Sequence, residues 1–173
     1  MITSEPAVSV SPLSAVTPGS LVLYEGEFGF VTFNSEHPDA HTFVLHKPAT
    51  QTFVYTPLNA DAVQVFNFGQ NLVLQPNLLS VQEGQLLNRD TGSALFIVGS
   101  DHHIIAQVGN GDYRWVRLAT GAMLVNRAAT LTPVIREWSI GVRDASGRYI
   151  ALIEASSRIA AALNQGPIGP DVL

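Results

Sequence analysis

From Pro18 to about Asn126 the chain alternates short apolar runs with polar breaks. The runs SLVLY, FGFVTF, TFVLH, TFVYT, AVQVFNF, NLVLQ, ALFIV, HIIAQV and YRWVRL are rich in β-branched and aromatic residues. Between them lie EG, EHPDA, HKPAT, NFGQN, RDTG and GNGD. In such breaks Gly and Asn supply positive φ, and Pro holds φ near about −65°. Short strands at this spacing predict an all-β sandwich or barrel of short antiparallel strands.

The pattern has a weak internal echo. Residues 18–58 can be laid over residues 83–121, with Gly19-Ser20-Leu21 against Gly84-Gln85-Leu86. Both stretches continue through a turn, an apolar strand, a His-bearing turn and a further hairpin. Two related β-units joined near residues 75–82 are therefore one option.

The ends read differently. Pro6, Pro12 and Pro18 exclude a helix from residues 1–18, which are expected to form an extended arm, loose or laid along a neighbouring subunit. The β-rich core is expected over residues 19–126. In residues 127–173, Trp138, Ile140 and Val142 alternate up to the turn DASG, and Tyr149, Ala151 and Ile153 alternate after it. That is a hairpin pattern. The following EASSRIAAALNQGP predicts a short helix, capped by Ser156 or Ser157 and stopped at Gly166-Pro167, before a C-terminal tail.

Composition narrows the class. Apolar residues make up 46 % of the 173, a globular level, whereas charged residues are only 13 %, about half the usual share of roughly 25 %. Disorder is disfavoured. A surface so poor in charge suits one partly covered by partners. The net charge is −5, and Lys47 is the one lysine among nine dispersed basic residues. No basic run could follow a line of phosphates, so nucleic acid is not an expected partner. The absence of cysteine removes thiolate chemistry and disulfides. The N-terminus lacks the basic and apolar regions of a signal peptide. No run reaches the roughly 18 apolar residues of a membrane span, so a soluble protein without a membrane partner is expected.

Candidate chemistry is sparse. FNSEHPDAHTFVLHK places His37, His41 and His46 close in sequence. On a strand His41 and His46 face opposite sides. Only His37 and His41 could meet, across a turn at Pro38-Asp39, which leaves them as residual metal candidates, with turn histidines the commoner explanation. SDHH (Ser100–His103) contains the residue types of a catalytic triad but has no surrounding nucleophile motif. It reads as a polar turn. GNGD lacks the Lys and helix of a phosphate loop. In YRWVRL, Val116 and Leu118 share one face and Tyr113, Trp115 and Arg117 the other. Those three are the candidate binding residues, because such side chains often anchor recognition surfaces; a strand buried on both sides is the competing reading.

No catalytic residue and no cofactor is expected. The leading functional expectation is a non-enzymatic structural or assembly protein that binds other protein subunits, as a homo-oligomer or within a larger assembly. A virion component, capsid-decorating or tail-associated, is the suggested setting. The alternatives are a carbohydrate- or ligand-binding module stacking on Tyr113 and Trp115, and a metal-dependent hydrolase built near His37, His41 and the His102-His103 turn.

Overall fold

The computed structural model describes residues 8–34, 37–57, 60–84, 92–109, 111–124 and 132–156. The strands are β1 (Ser9–Pro12), β2 (Leu21–Tyr24), β3 (Glu27–Asn34), β4 (His37–Lys47), β5 (Thr52–Thr56), β6 (Gln64–Gly69), β7 (Val73–Pro76), β8 (Val81–Gly84), β9 (Leu95–Val98), β10 (Asp101–Gly109), β11 (Asp112–Arg117), β12 (Ala122–Leu124), β13 (Thr132–Ile135), β14 (Trp138–Arg143) and β15 (Tyr149–Ala155). Single 3-10 turns span Leu13–Ala15 and Leu78–Ser80. The all-β class holds. The expected C-terminal helix falls almost wholly on residues outside the described ones.

Twelve strands form one sheet that closes on itself. β3, β4 and β5 pair in sequence, as do β10, β11 and β12, and two short parallel seams join the triplets. At one seam Phe53 and Val54 of β5 lie beside Ala106 and Gln107 of β10. At the other Ala122 and Met123 of β12 lie beside Phe33 and Asn34 of β3. The result is a six-stranded barrel. From β3 the sheet runs outward as β2-β6-β1, and from β10 as β9-β13-β8.

Each wing with its triplet makes one β-unit, and the two units have the same strand order. Leu21–Asn34 and Leu95–Val108 have the same burial at every position. Phe30 pairs with Val44 as Ile104 pairs with Val116. The register differs from the echo read in the sequence. Leu21 corresponds to Leu95, not to Leu86, because SLVLY matches ALFIV and FGFVTF matches HHIIAQ. β7 and the turn at Leu78–Ser80 lie between the units. The division expected at residues 126/127 does not mark a change of sheet, since β13 still belongs to the second wing.

Strand alternation sorts the side chains into layers. Phe30, Val44, Phe53, Ile104, Val116 and Met123 fill the central core. Outside the barrel, Val22, Val31, Phe43, Leu45 and Val65 form a second cluster, and Ala94, Phe96, Ile105, Trp115 and Val134 form a third. The described part of the expected N-terminal arm is docked on its own chain. β1 pairs with β6, and Leu13 and Val16 plug the second cluster, fully buried. A separate sheet, β15-β14-β7, packs on the barrel and adds Trp138, Ile140, Ile153 and Ala155 to the central core. The predicted hairpin is therefore present. An irregularity between Ile140 and Gly141 shifts its register.

Candidate functional site

The most polar buried part of the described molecule lies where the small sheet meets the barrel. His46 projects inward from β4, as its parity with Val44 requires, and is 4 % exposed. Its ring lies 5.0 Å from that of Phe53. Its Nε2 is 3.1 Å from the Ser93 hydroxyl. The Ser93 carbonyl accepts a 2.6 Å hydrogen bond from Trp138 Nε1, and the Trp138 ring stacks on Phe53 at 6.1 Å. Gln51 adds a further tie, its Oε1 accepting from the Ser156 backbone N–H at 3.0 Å. Burial lowers the His46 pKa from 6.5 to about 4, while the Glu27 carboxylate pulls weakly upward. Glu27 is itself ion-paired with Lys47.

A serine hydroxyl on a histidine nitrogen has the outline of a nucleophile and base. Here both side chains are buried beneath Trp138, and the imidazole has lost basicity rather than gained it. The arrangement suits a structural latch better than nucleophilic catalysis.

The equivalent place in the other unit is open. Gly19 stands where Ser93 stands, Leu118 where His46 stands and His102 where Phe28 stands. No indole fills the space. A cleft of about 230 Å³ remains, with Leu72, Leu74, Leu118 and Ile140 as its apolar lining and Ser100, Asp101 and His102 at its polar margin. Asp101 also reaches Arg117 at 3.2 Å.

The residues singled out from the sequence are dispersed. Tyr113, Trp115 and Arg117 do share a face, the outer face of the barrel. That face is not an open recognition surface, because the second wing folds over it. Trp115 is 6 % exposed, packed 4.9 Å from the Phe96 ring and 5.9 Å from the His103 ring. Tyr113 and Arg117 are half-buried. Pro38-Asp39 forms no turn; the backbone from His37 to Lys47 is one strand. His41 Nδ1 lies 3.4 Å from the Leu13 carbonyl, where it helps seat the N-terminal segment. The His37 side chain lies outside the described residues. No group of three or more metal-ligating side chains occurs among the described residues. As parity requires, His102 and His103 face opposite sides, the first to the cleft and the second toward Trp115. No helix among the described residues is long and apolar enough to cross a membrane.

No family model, no curated protein and no solved structure matches this chain. Its own surface is the remaining guide.

Among the described residues, the large apolar side chains that remain exposed are Val8, Val10, Phe66, Leu78, Leu79 and Val81. All six lie at the two ends of the twelve-stranded sheet. Val10 pairs with Phe66 across β1 and β6, and Val8 precedes β1. Leu78 and Leu79 sit on the 3-10 turn that leads into β8, and Val81 begins β8. Leu79 is 97 % exposed, yet its turn is held firmly. The Asn77 side chain accepts from Leu79 N–H and donates to Glu137, the Ser80 hydroxyl donates to the Asn77 carbonyl, and Glu137 N–H donates to that hydroxyl. The sequence carries a signal for these ends. Residues 6–24 and 62–82 contain no charged side chain.

Proposed function

We propose that the protein is a non-enzymatic assembly component that binds other protein subunits through the ends of its large sheet. The observation that supports this most is that the six large apolar side chains exposed among the described residues all lie at those two ends. Scattered exposed leucines are ordinary, whereas grouped ones beside an open strand edge mark contact surfaces. Edge strands usually carry charges that block further pairing. β1, with the sequence SVSP, carries none. A leucine held almost fully in water on a hydrogen-bonded turn loses little freedom when it enters a partner, which suits an anchor. The setting proposed is a virion, as a capsid-decorating or tail-associated part, where small β-domains act in many copies on a lattice. Trp115, one of the two rings on which the sugar-stacking alternative depends, is 6 % exposed, so that alternative has less support.

The reading is tested with a photo-reactive amino acid at position 79 or 10 of the full chain in its native setting, and at Thr50 as a control. Adducts to defined protein subunits from positions 79 and 10, and not from 50, are expected. Absence of adducts at both ends would sink it.

A further inference from the structure

We infer that the subunit bound is a second copy of this chain, joined head to tail, the β1–β6 end of one copy meeting the β8 end of the next. The inference rests on the assembly reading above and names its partner.

Three observations carry it. First, the chain has two exposed apolar ends, and they are not the same surface. One is the flat pair Val10 and Phe66 on β6 and the edge strand β1. The other is a projecting turn carrying Leu78 and Leu79 beside the edge strand β8. A foreign partner or a two-fold dimer needs only one such surface. A head-to-tail contact needs two different ones on the same chain.

Second, the ends occupy equivalent positions in the two units. β1 pairs with β6 outside β2, and β8 pairs with β13 outside β9. Among the described residues each has a strand partner on one side only. Setting β1 of one copy beside β8 of another continues the sheet across the boundary, so backbone groups at both edges gain partners while the six apolar side chains leave water.

Third, the electrostatics favour these surfaces over the rest. Copies of a chain with net charge −5 repel one another. Contact is least opposed where the fewest charges have to be desolvated. β1, β6 and the turn with Val81 and Gln82 fall within residues 6–24 and 62–82, which carry no charged side chain; Glu83 of β8 and Glu137, hydrogen-bonded to Asn77, are the charges beside the second end. A contact repeated through two different ends gives a ring if its rotation closes and an open filament if it does not.

Two single-end variants of the full chain provide the test. Leu79→Glu disables one end and leaves the other intact, and Val10→Glu does the reverse. Both positions are exposed, so native tryptophan fluorescence and circular dichroism are expected to be unchanged. In sedimentation velocity over a concentration series, the unaltered chain should form species larger than a dimer, and each variant alone should be monomeric. An equimolar mixture of the two should form a one-to-one dimer, because each supplies the end the other lacks. A two-fold contact cannot produce that rescue. If a glutamate disturbs folding, Leu79→Ser and Val10→Ser replace the pair with the same expectation. An unaltered chain that stays monomeric at all concentrations overturns the inference, as does a mixture that stays monomeric. If position 79 or 10 then cross-links to a different protein, the assembly reading stands and only the choice of partner has failed.

Discussion

His46 is the residue whose chemistry is most altered by its surroundings. It is neutral in the fold, with its pKa lowered to about 4 by burial against Phe53 and Ser93. The unfolded chain binds a proton near the ordinary value of 6.5. Between these values the unfolded state holds more protons than the native one, so stability rises with pH across that window. The full contribution is present above pH 6.5 and is lost as pH falls toward 4. Its size is on the order of 3 kcal/mol. Urea midpoints measured from pH 7 to pH 4.5 should fall for the native chain, and this component should be missing in His46→Gln, which keeps a hydrogen-bonding group without the titration. Equal pH slopes for the two proteins would show that His46 is not the titrating group. Leu13 poses a packing question of the same scale. Fully buried against the second cluster, it should cost roughly 2–5 kcal/mol when changed to alanine, read as a lower midpoint in equilibrium unfolding. A loss near zero would mean that the N-terminal segment does not stay docked in solution.

Among the elements, the two parallel seams hold the barrel shut with few residues. Antiparallel neighbours within each triplet follow from short turns, but β5 to β10 and β12 to β3 are pairings between chain segments far apart in sequence. At the second seam Gly121 has φ of +70°, and a Cβ there would stand 2.3 Å from the Val31 carbonyl oxygen. Its own carbonyl accepts from Phe33 N–H at 3.1 Å. Gly121→Ala therefore strains the backbone and pushes β12 from β3. A loss of more than about 2 kcal/mol is expected by thermal or denaturant unfolding. Gly99→Ala is the comparison, because its φ is also positive but nothing lies within 4 Å of the added Cβ. If the two variants lose the same stability, close approach at the seam is not what Gly121 provides.

For the whole molecule, near-symmetry is broken by one added layer. The sheet β15-β14-β7 places Trp138 over His46 and Ser93 in one unit, and in the other it leaves the cleft beside Leu118 and His102. One such layer over two equivalent positions makes a latch at one and an opening at the other. The two sheet ends keep their equivalence and both stay uncovered among the described residues. Because the contact inferred there is mainly apolar, with no basic residue on β1, β6 or β8 to pair across it, raising the salt concentration should preserve or strengthen self-association, as salt screens the net repulsion. Dissociation on raising salt in a sedimentation series would point to ion pairing and against these surfaces.

Local chemistry determined most of the strands and the C-terminal hairpin, but Pro38-Asp39 and Asp101–His103, which read as turns, lie in β4 and β10, where pairing with neighbouring strands outweighs local preference. Period-two alternation and Gly, Asn and Pro breaks act over a few residues and need no knowledge of the partner strand. Parity also separated His41 from His46 and His102 from His103, because side chains alternate on any strand. The layer that covers a face is not local, and there the sequence was silent or misleading. Tyr113, Trp115 and Arg117 lie on one face as the pattern required, but only the folding of β9 and β13 over the barrel decided that Trp115 would be buried. The repeat was visible as a pattern, while its register needed the pairing of Phe30 with Val44 and of Ile104 with Val116. His46, Ser93 and Trp138 meet from three distant segments, so no spacing announces them. The charge-free stretches were written in the chain from the start; the tertiary structure alone showed that parts of them form the two ends of one sheet.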